Sequence, residues 1–200
     1  DPDAKCPRWK QFLLECHIDD HELCDFLQRW IGYCLTGDMR EQRWVLHVGD
    51  GSNGKSTFND IIGQMLGDYV ATAAASTFME NERPSSAGSP RPDLMALRSA
   101  RLVNVAESNN GQAINEALVK RITGGDKVSA RELHCAQVTF KPVYKIQMAT
   151  NELPRMKSTD GGTWRRPLVI MWPVNFGAIG APDIDKTLAA TLEDELPGIL

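Results

Sequence analysis

The stretch Gly49-Asp50-Gly51-Ser52-Asn53-Gly54-Lys55-Ser56-Thr57 fits the phosphate-binding pattern GxxxxGK[ST]. Residues 44–48 before it are apolar enough to form a short buried strand, and residues 56–66 after it have the spacing of a helix. A strand, a glycine-rich loop and a helix in this order place backbone N–H groups and a helix N-terminus around an anion. We therefore predict a P-loop that binds the phosphates of a nucleotide.

The residue types within this loop suit ATP and Mg²⁺. Glycines let the backbone turn tightly and approach a phosphate without a Cβ in the way. Lys55 is expected to reach the β- and γ-phosphates, and the Ser56 hydroxyl is expected to coordinate Mg²⁺. The predicted phosphate cradle consists of Gly49, Gly51, Ser52, Asn53, Gly54, Lys55, Ser56 and Thr57.

An acidic residue after a second apolar stretch is the candidate for catalysis. Residues 100–106 have the composition of a strand, and Glu107 follows them directly. Downstream of a P-loop, a carboxylate at this place lies beside the metal and the attacking water, so Glu107 is predicted to polarise that water. Ala106 stands where a second acid is common, so Mg²⁺ would depend on Ser56, the phosphates and water, with Glu107 as the nearby acid. In isolation, a glutamate after a strand is also an ordinary helix cap.

The composition limits the classes of protein to which the chain can belong. With 200 residues, 42% hydrophobic content and a net charge of −4, it suits one domain, and any contact with DNA must come from a local basic patch. No apolar run approaches ~20 residues, so we expect no membrane span. Five cysteines without a CxxC pair, beside a P-loop, favour reduced thiols and a cytoplasmic location. Cys16, His17, His21 and Cys24 are close in sequence, but Cys24 falls on an apolar helical face, so we do not expect zinc.

The alternation of strands and helices predicts an α/β fold with an AAA+-like P-loop, a three-layer core and a mainly parallel sheet. Residues 1–40 are predicted to form an N-terminal helical subdomain, and residues 41–200 the P-loop ATPase core. Residues 69–78 are compatible with either a strand or a loop, and residues 81–92 form a loop rich in Pro, Ser and Gly. The later elements are predicted to be an inserted β-hairpin at 127–140, strands at 142–151 and 167–172, and a helix at 183–196.

Taken together, these segments resemble the helicase domain of superfamily 3, in its phage/plasmid and poxvirus-like primase–helicase branch. The resemblance lies in the order of several blocks, and it covers nearly the whole chain. These blocks are Gly32-Tyr33-x-Leu35, GDGSNGKST at 49–57, the strand at 101–107, ITGGDKVxAR at 122–131, Phe140-Lys141-Pro142, ATNxxP at 149–154, Trp164-Arg165-Arg166 and ExPGIL at 195–200.

The resemblance implies a ring-forming ATPase, usually a hexamer, that moves 3′ to 5′ along single-stranded DNA and unwinds a fork. By its motif, Asn151 resembles the sensor asparagine that contacts the γ-phosphate. Arg166, or its neighbour Arg165, resembles the arginine finger, whose guanidinium stabilises the transferring phosphoryl group of a neighbouring subunit's ATP. Residues 127–141 resemble the channel hairpin that contacts the DNA backbone without reading bases. Its candidate DNA-binding residues are Lys127, Arg131, His134 and Lys141.

Two other functions are compatible with the same motifs. One is a nucleotide-dependent DNA-binding initiator or loader that does not unwind processively. The other is an ordinary P-loop enzyme such as a small-molecule kinase, which would be a monomer with a substrate pocket instead of a basic hairpin. Because the chain begins without Met and ends within a helical segment, we expect it to be a piece of a longer protein, monomeric on its own, with any primase centre before Asp1.

Overall fold

The structure is a computed structural model, and it describes residues 3–80, 89–106, 112–180 and 183–200. The strands are β1 (Trp44–Val48), β2 (Val70–Ala73), β3 (Leu102–Val105), β4 (Val128–Ala130), β5 (Val138–Phe140), β6 (Lys145–Thr150) and β7 (Pro167–Met171). Five of them form a sheet in the order β2-β3-β6-β1-β7, in which every pairing is parallel. The carboxyl ends of β1, β3 and β6 therefore meet at one edge, which is where α/β proteins bind ligands.

Helices cover both faces of this sheet. They are α1 (Pro7–Cys16), α2 (His21–Thr36), α3 (Lys55–Leu66), α4 (Pro92–Ala96), α5 (Glu116–Thr123), α6 (Gly161–Trp164), α7 (Leu188–Asp194) and α8 (Leu196–Ile199). One apolar cluster packs α1, α2, α3 and α7 on one face, and a second packs α4, α5 and the β4–β5 pair on the other. The predicted α/β fold with a mainly parallel sheet, N-terminal helices and an inserted hairpin is confirmed. None of the helices in the described ranges is long and apolar enough to cross a membrane.

The N-terminal helices pack directly on the helix that follows the P-loop. Asp20 caps α2 by accepting a hydrogen bond of 2.9 Å from Leu23 N, and Gly37 ends it in the left-handed conformation with φ 67°. The ring of Trp9 in α1 stacks on Phe58 in α3, with centroids 5.6 Å apart. The two helices thus share a core with the sheet, and the predicted domain boundary at residue 40 stays a prediction.

Several predicted elements have different lengths in the structure. The undecided segment 69–78 contains β2 followed by a short 3₁₀ turn, Ala75–Thr77. The hairpin strands β4 and β5 are only three residues each, so the connection between them is longer than expected. The C-terminal helix begins at Leu188 and not at residue 183. Most of the predicted loop at 81–92 lies outside the described residues.

His47 in β1 is a buried polar side chain whose protonation state the packing sets. It is 1% exposed, and its Nδ1 accepts a hydrogen bond of 3.0 Å from Trp172 Nε1. Because an indole N–H only donates, Nδ1 carries no proton and the imidazole is neutral. Burial lowers the pKa of His47 from 6.5 to about 3, since the apolar core disfavours the charged ring.

This histidine is expected to make the folded state sensitive to acid. The unfolded chain protonates His47 below pH 6.5 and the folded chain only near pH 3, so stability present above pH 6.5 is lost as the pH falls through that window. Between about pH 5.5 and 4, the loss is roughly 1.4 kcal/mol per pH unit. Denaturant unfolding across this range should give a shallower dependence of stability on pH for His47→Gln, while His21→Ala, at an exposed position, keeps the wild-type dependence. Equal slopes for wild type and His47→Gln would contradict this assignment.

Candidate nucleotide-binding site

The backbone of the predicted P-loop has the conformation that a phosphate cradle requires. Gly51 and Gly54 have φ angles of 98° and 91°, and Ser52 also adopts a positive φ of 47°. Helix α3 begins at Lys55, and its N-cap residue, Gly54, has no side chain to accept a hydrogen bond, although the Lys55 N–H donates to Asn53 Oδ1 at 3.4 Å. The loop therefore directs the N-terminus of a twelve-residue helix at the cleft, an arrangement that favours anions.

Two loop glycines are required because other parts of the chain approach them closely. A Cβ on Gly54 would lie 2.6 Å from Cys16 Sγ and 2.9 Å from the Phe12 ring. A Cβ on Gly49 would lie 2.6 Å from the carbonyl oxygen of Trp172. The loop is thus packed closely between α1 and the residue that follows β7. The sequence pattern gives no sign of these contacts, because they join segments far apart in the chain.

Lys55 lies inside the loop that it is predicted to serve. Its side chain is 7% exposed, and its ammonium donates a hydrogen bond to the carbonyl oxygen of Gly49. The same glycine's N–H donates to Thr150 O at 3.2 Å, which fastens the start of the loop to the end of β6. The loop thus holds a positive charge within the backbone turn that is predicted to receive phosphates.

A cleft of about 480 Å³ brings most of the predicted nucleotide site together. One wall is the P-loop from Gly51 to Thr57, and the other is formed by the ends of β3 and β6 with Ala106 and Asn151. Asn151 is exposed in the cleft, directly after β6. Glu107, the predicted catalytic acid, lies outside the described residues, although Ala106 before it lines the cleft.

A second cavity of about 390 Å³ adjoins the cleft across the loop. Ser52, Gly54 and Thr57 line both spaces. Apolar walls come from α1, α7 and the segment after β7, and charged groups stand at the rim. These lining residues are Phe12, Phe176, Ile184 and Leu188, with Arg8, Glu15 and Asp185. Arg8 is held by Glu15 at 3.0 Å and by Asp185 at 3.5 Å.

The two candidate finger arginines differ sharply in their surroundings. Arg166 is 6% exposed and donates to Thr123 Oγ1 at 3.1 Å, to Gln42 Oε1 at 3.2 Å and to the Gly162 carbonyl. Arg165 is exposed, and its guanidinium donates to Gln42 Oε1 at 2.6 Å. Arg166 therefore stabilises the interior of the fold, and Arg165 is the one of the two that is exposed to solvent. The finger role itself stays a prediction.

Both arginines lie at the opposite edge of the sheet from the P-loop. The carbonyl of Arg166 accepts a hydrogen bond from Trp44 N, at the start of β1, whereas the P-loop follows the end of β1. A five-residue strand spans ~16 Å. Neither side chain is therefore placed to reach the cleft of its own chain.

The candidate DNA-binding residues occupy two different parts of the hairpin. Lys127 precedes and Lys141 follows the pair Val128–Phe140 at the base of the hairpin, and both lysines are exposed. His134 lies in the turn at φ 61° within an exposed segment, next to Leu133, which is 64% exposed. Arg131 is half-buried where the loop leaves β4. The tip thus presents a histidine and an apolar side chain, and the lysines lie at the base.

The thiols of the N-terminal helices are buried at Cys16 and Cys34 and half-buried at Cys24. Burial raises the pKa of Cys16 to about 12 and that of Cys24 to about 11, so both stay protonated. In the part of the chain that the structure describes, no group of three or more His, Cys, Asp or Glu side chains is arranged to hold a metal ion.

The chain is similar in sequence to one protein family and to several viral proteins. A family model described as a family of unknown function, DUF5906, matches residues 47–166, which span the P-loop, the hairpin and both arginines. The chain is 33% identical over 151 residues to the putative helicase L207/L206 of Acanthamoeba polyphaga mimivirus, covering 76% of this chain and 16% of the relative. It is 34% identical over 155 residues to the putative helicase 022R of Frog virus 3, with the same coverage of 76% and 16%. It is 28% identical over 162 residues to the putative primase C962R of African swine fever virus, covering 79% and 17%.

A solved structure extends the likeness to the fold. The apo structure of the NrS-1 C-terminal region superposes with a TM-score of 0.74 at 14% identity, covering 100% of this chain and 45% of that one. At this identity the match shows the shared fold alone. The chain spans about a sixth of the length of the curated relatives described above.

Proposed function

This chain belongs to the DUF5906 family, and on that premise we propose that it is the ATP-driven motor domain of a replicative DNA helicase of the primase–helicase type. The names of its viral relatives support helicase or primase–helicase function in general. The proposal includes three finer points: the motor hydrolyses ATP, it moves 3′ to 5′ on single-stranded DNA, and it works as a hexameric ring.

The observation that carries the proposal is the pair of spaces that meet at Gly54. The cleft on one side has the helix N-terminus and Lys55, which suit the phosphates of ATP. The cavity on the other side has Phe12 and Phe176, which suit a base, and carboxylates that can accept hydrogen bonds from ribose hydroxyls. One nucleoside triphosphate laid across the loop would fill both.

The residues of the cleft, together with Glu107 outside the described residues, have distinct proposed roles in hydrolysis. Lys55 would hold the β- and γ-phosphates, and the Ser56 hydroxyl would be a ligand of Mg²⁺, which would supply positive charge to neutralise the phosphates. Asn151 contacts the γ-phosphate from the end of β6. Glu107, which follows β3, orients and polarises the attacking water.

Assembly and DNA binding complete the proposed motor. Because Arg165 faces away from its own cleft, we assign it to the nucleotide of a neighbouring subunit, which requires head-to-tail contacts of the kind that close rings. The hairpin would contact the strand in the channel through Lys127, Lys141, Arg131 and His134. Contacts to phosphates make such binding sensitive to salt and largely independent of sequence.

Strand displacement on a forked duplex tests the motor directly. With ATP and Mg²⁺, the protein carrying this domain is expected to release the displaced strand, and a double variant Lys127→Ala/Lys141→Ala should bind single-stranded DNA about tenfold more weakly at moderate salt. Lys186→Ala, an exposed lysine outside the hairpin, is the matched control and should bind as wild type. Nucleotide-dependent DNA binding without displacement would instead assign the chain to the loader function.

A further inference from the structure

A buried glutamine in the central strand connects the nucleotide cleft to an N-terminal helix. Gln147 in β6 is 1% exposed, and its amide is fully engaged. Its Oε1 accepts a hydrogen bond of 3.3 Å from Trp30 Nε1 in α2. Its Nε2 donates to Asn59 Oδ1 in α3 at 3.0 Å and to Asn104 Oδ1 in β3 at 2.7 Å. Four elements of the fold therefore meet at one amide group.

The orientation of every amide in this group follows from the tryptophan. An indole N–H is a donor only, so the atom of Gln147 that faces Trp30 must be its oxygen. The nitrogen of Gln147 must then face the two asparagines, and it has two hydrogens to give. Both asparagines consequently turn their oxygens toward Gln147. We call these four residues the amide relay.

The amide relay leaves two donor groups at the nucleotide cleft. Asn59 and Asn104 both line the cleft, and their oxygens are occupied by Gln147. Within the described residues, neither Nδ2 group donates a hydrogen bond that would occupy it. Asn59 lies four residues after Lys55 on α3, and Asn104 lies in the strand that leads to Ala106. Asn104, on the wall opposite the P-loop, and Asn59, on the helix that follows the P-loop, therefore both offer amide N–H groups to the cleft and not amide oxygens.

We propose that Gln147 is a positioning residue that holds Asn59 and Asn104 with their N–H groups toward the γ-phosphate of a bound nucleoside triphosphate. This inference rests on the proposed function, since it assigns contacts within the same cleft. The P-loop and Lys55 enclose the phosphates nearest the helix N-terminus, whereas Asn104 stands on the far wall with Asn151. Amide donors on α3 and on the far wall would stabilise negative charge on the terminal phosphate between them, whereas reversed amides would present oxygens that repel it.

The substitution Gln147→Glu tests the relay with almost no change of shape. A carboxylate still accepts the Trp30 hydrogen bond but cannot donate, so Asn59 and Asn104 are expected to reverse and turn their oxygens toward the cleft. Calorimetric titration should show the affinity for a non-hydrolysable ATP analogue falling about tenfold or more, with the affinity for ADP unchanged within about twofold. The loss is specific to the triphosphate because ADP lacks the group that the two amides contact.

Further variants separate positioning from folding. Asn104→Ala and Asn59→Ala change partly exposed side chains, leave the Trp30–Gln147 bond in place and should each reproduce part of the selective loss. Gln28→Glu makes the same charge change at an exposed position of α2 and should bind both nucleotides as wild type. Thermal unfolding of each variant shows whether the fold is kept, and the asparagine variants decide the matter if Gln147→Glu does not fold.

The outcomes distinguish the relay from the site that it serves. Selective loss of the ATP analogue in the asparagine variants supports the relay. Equal losses for ATP analogue and ADP, or no loss in either, would overturn it while leaving the nucleotide site intact. A wild-type protein that binds neither nucleotide would overturn the proposed function and the relay together.

Discussion

Replacing Lys55 with alanine is expected to abolish ATP hydrolysis, with a loss of at least ~10³-fold in turnover. The ammonium is buried in the loop beside the Gly49 carbonyl, where a low local dielectric strengthens its attraction to phosphate oxygens. No other cation among the described residues lines the phosphate cleft. Nothing else in that part of the chain can therefore replace its charge.

The Lys55→Ala prediction is checked by steady-state phosphate release and by titration with an ATP analogue. Lys10→Ala, an exposed position on α1, is the matched control and should hydrolyse ATP at the wild-type rate. DNA strand displacement should disappear together with hydrolysis. Turnover that survives in Lys55→Ala would remove this loop from the catalytic site and would end the assignment.

Replacing Arg165 and replacing Arg166 with alanine are expected to have different effects, the first on hydrolysis and the second on stability. Arg165→Ala should reduce hydrolysis by ~10³-fold in the assembled protein without changing stability or nucleotide affinity, because an exposed guanidinium that acts on a neighbour's ATP contributes only to the reaction. Arg166→Ala should lower the free energy of unfolding by about 2–4 kcal/mol, because it removes a buried hydrogen bond to Thr123 and partly buried ones to Gly162 and Gln42.

Mixing two inactive variants tests whether Arg165 acts between subunits. A Lys55→Ala subunit still has Arg165, and an Arg165→Ala subunit still has Lys55. Where Arg165 of the first subunit faces the nucleotide site of the second in a head-to-tail interface, that site has both residues. An equal mixture should recover about a quarter of the wild-type rate, since about one interface in four has this composition. A mixture as inactive as its components, in a protein shown to assemble, would exclude the action of Arg165 in trans.

Much of the fold and of the phosphate cradle could be predicted from local sequence patterns. The glycine positions, the strand before them and the helix after them are set by neighbouring residues, so residues 44–66 could be interpreted without knowledge of the rest. The strand order β2-β3-β6-β1-β7 depends on pairings across long connections, and no local pattern of residues specifies those pairings. Local patterns also do not specify the contacts of Phe12 and Cys16 in α1 that leave no room for a side chain at position 54.

The site residues that sequence reasoning missed are those whose chemistry depends on contacts distant in the chain. Gln147 is one polar residue within an apolar strand, and nothing nearby indicates that Trp30, Asn59 and Asn104 converge on it. A buried glutamine in a strand is a usable signal, since it requires partners. The pair Arg165-Arg166 shows the opposite limit, because the two identical neighbours differ in burial, and only the structure shows that Arg166 is buried and Arg165 exposed.

Steady-state ATP hydrolysis by the protein carrying this domain, measured over a range of protein concentrations with and without single-stranded DNA, tests the central claim most directly. The proposed motor predicts that the rate per subunit rises with protein concentration, because Arg165 of one subunit completes the site of the next, and rises again with DNA. Lys55→Ala should remove both effects. A rate per subunit that is the same at every concentration and indifferent to DNA would contradict the motor and would favour an ordinary P-loop enzyme.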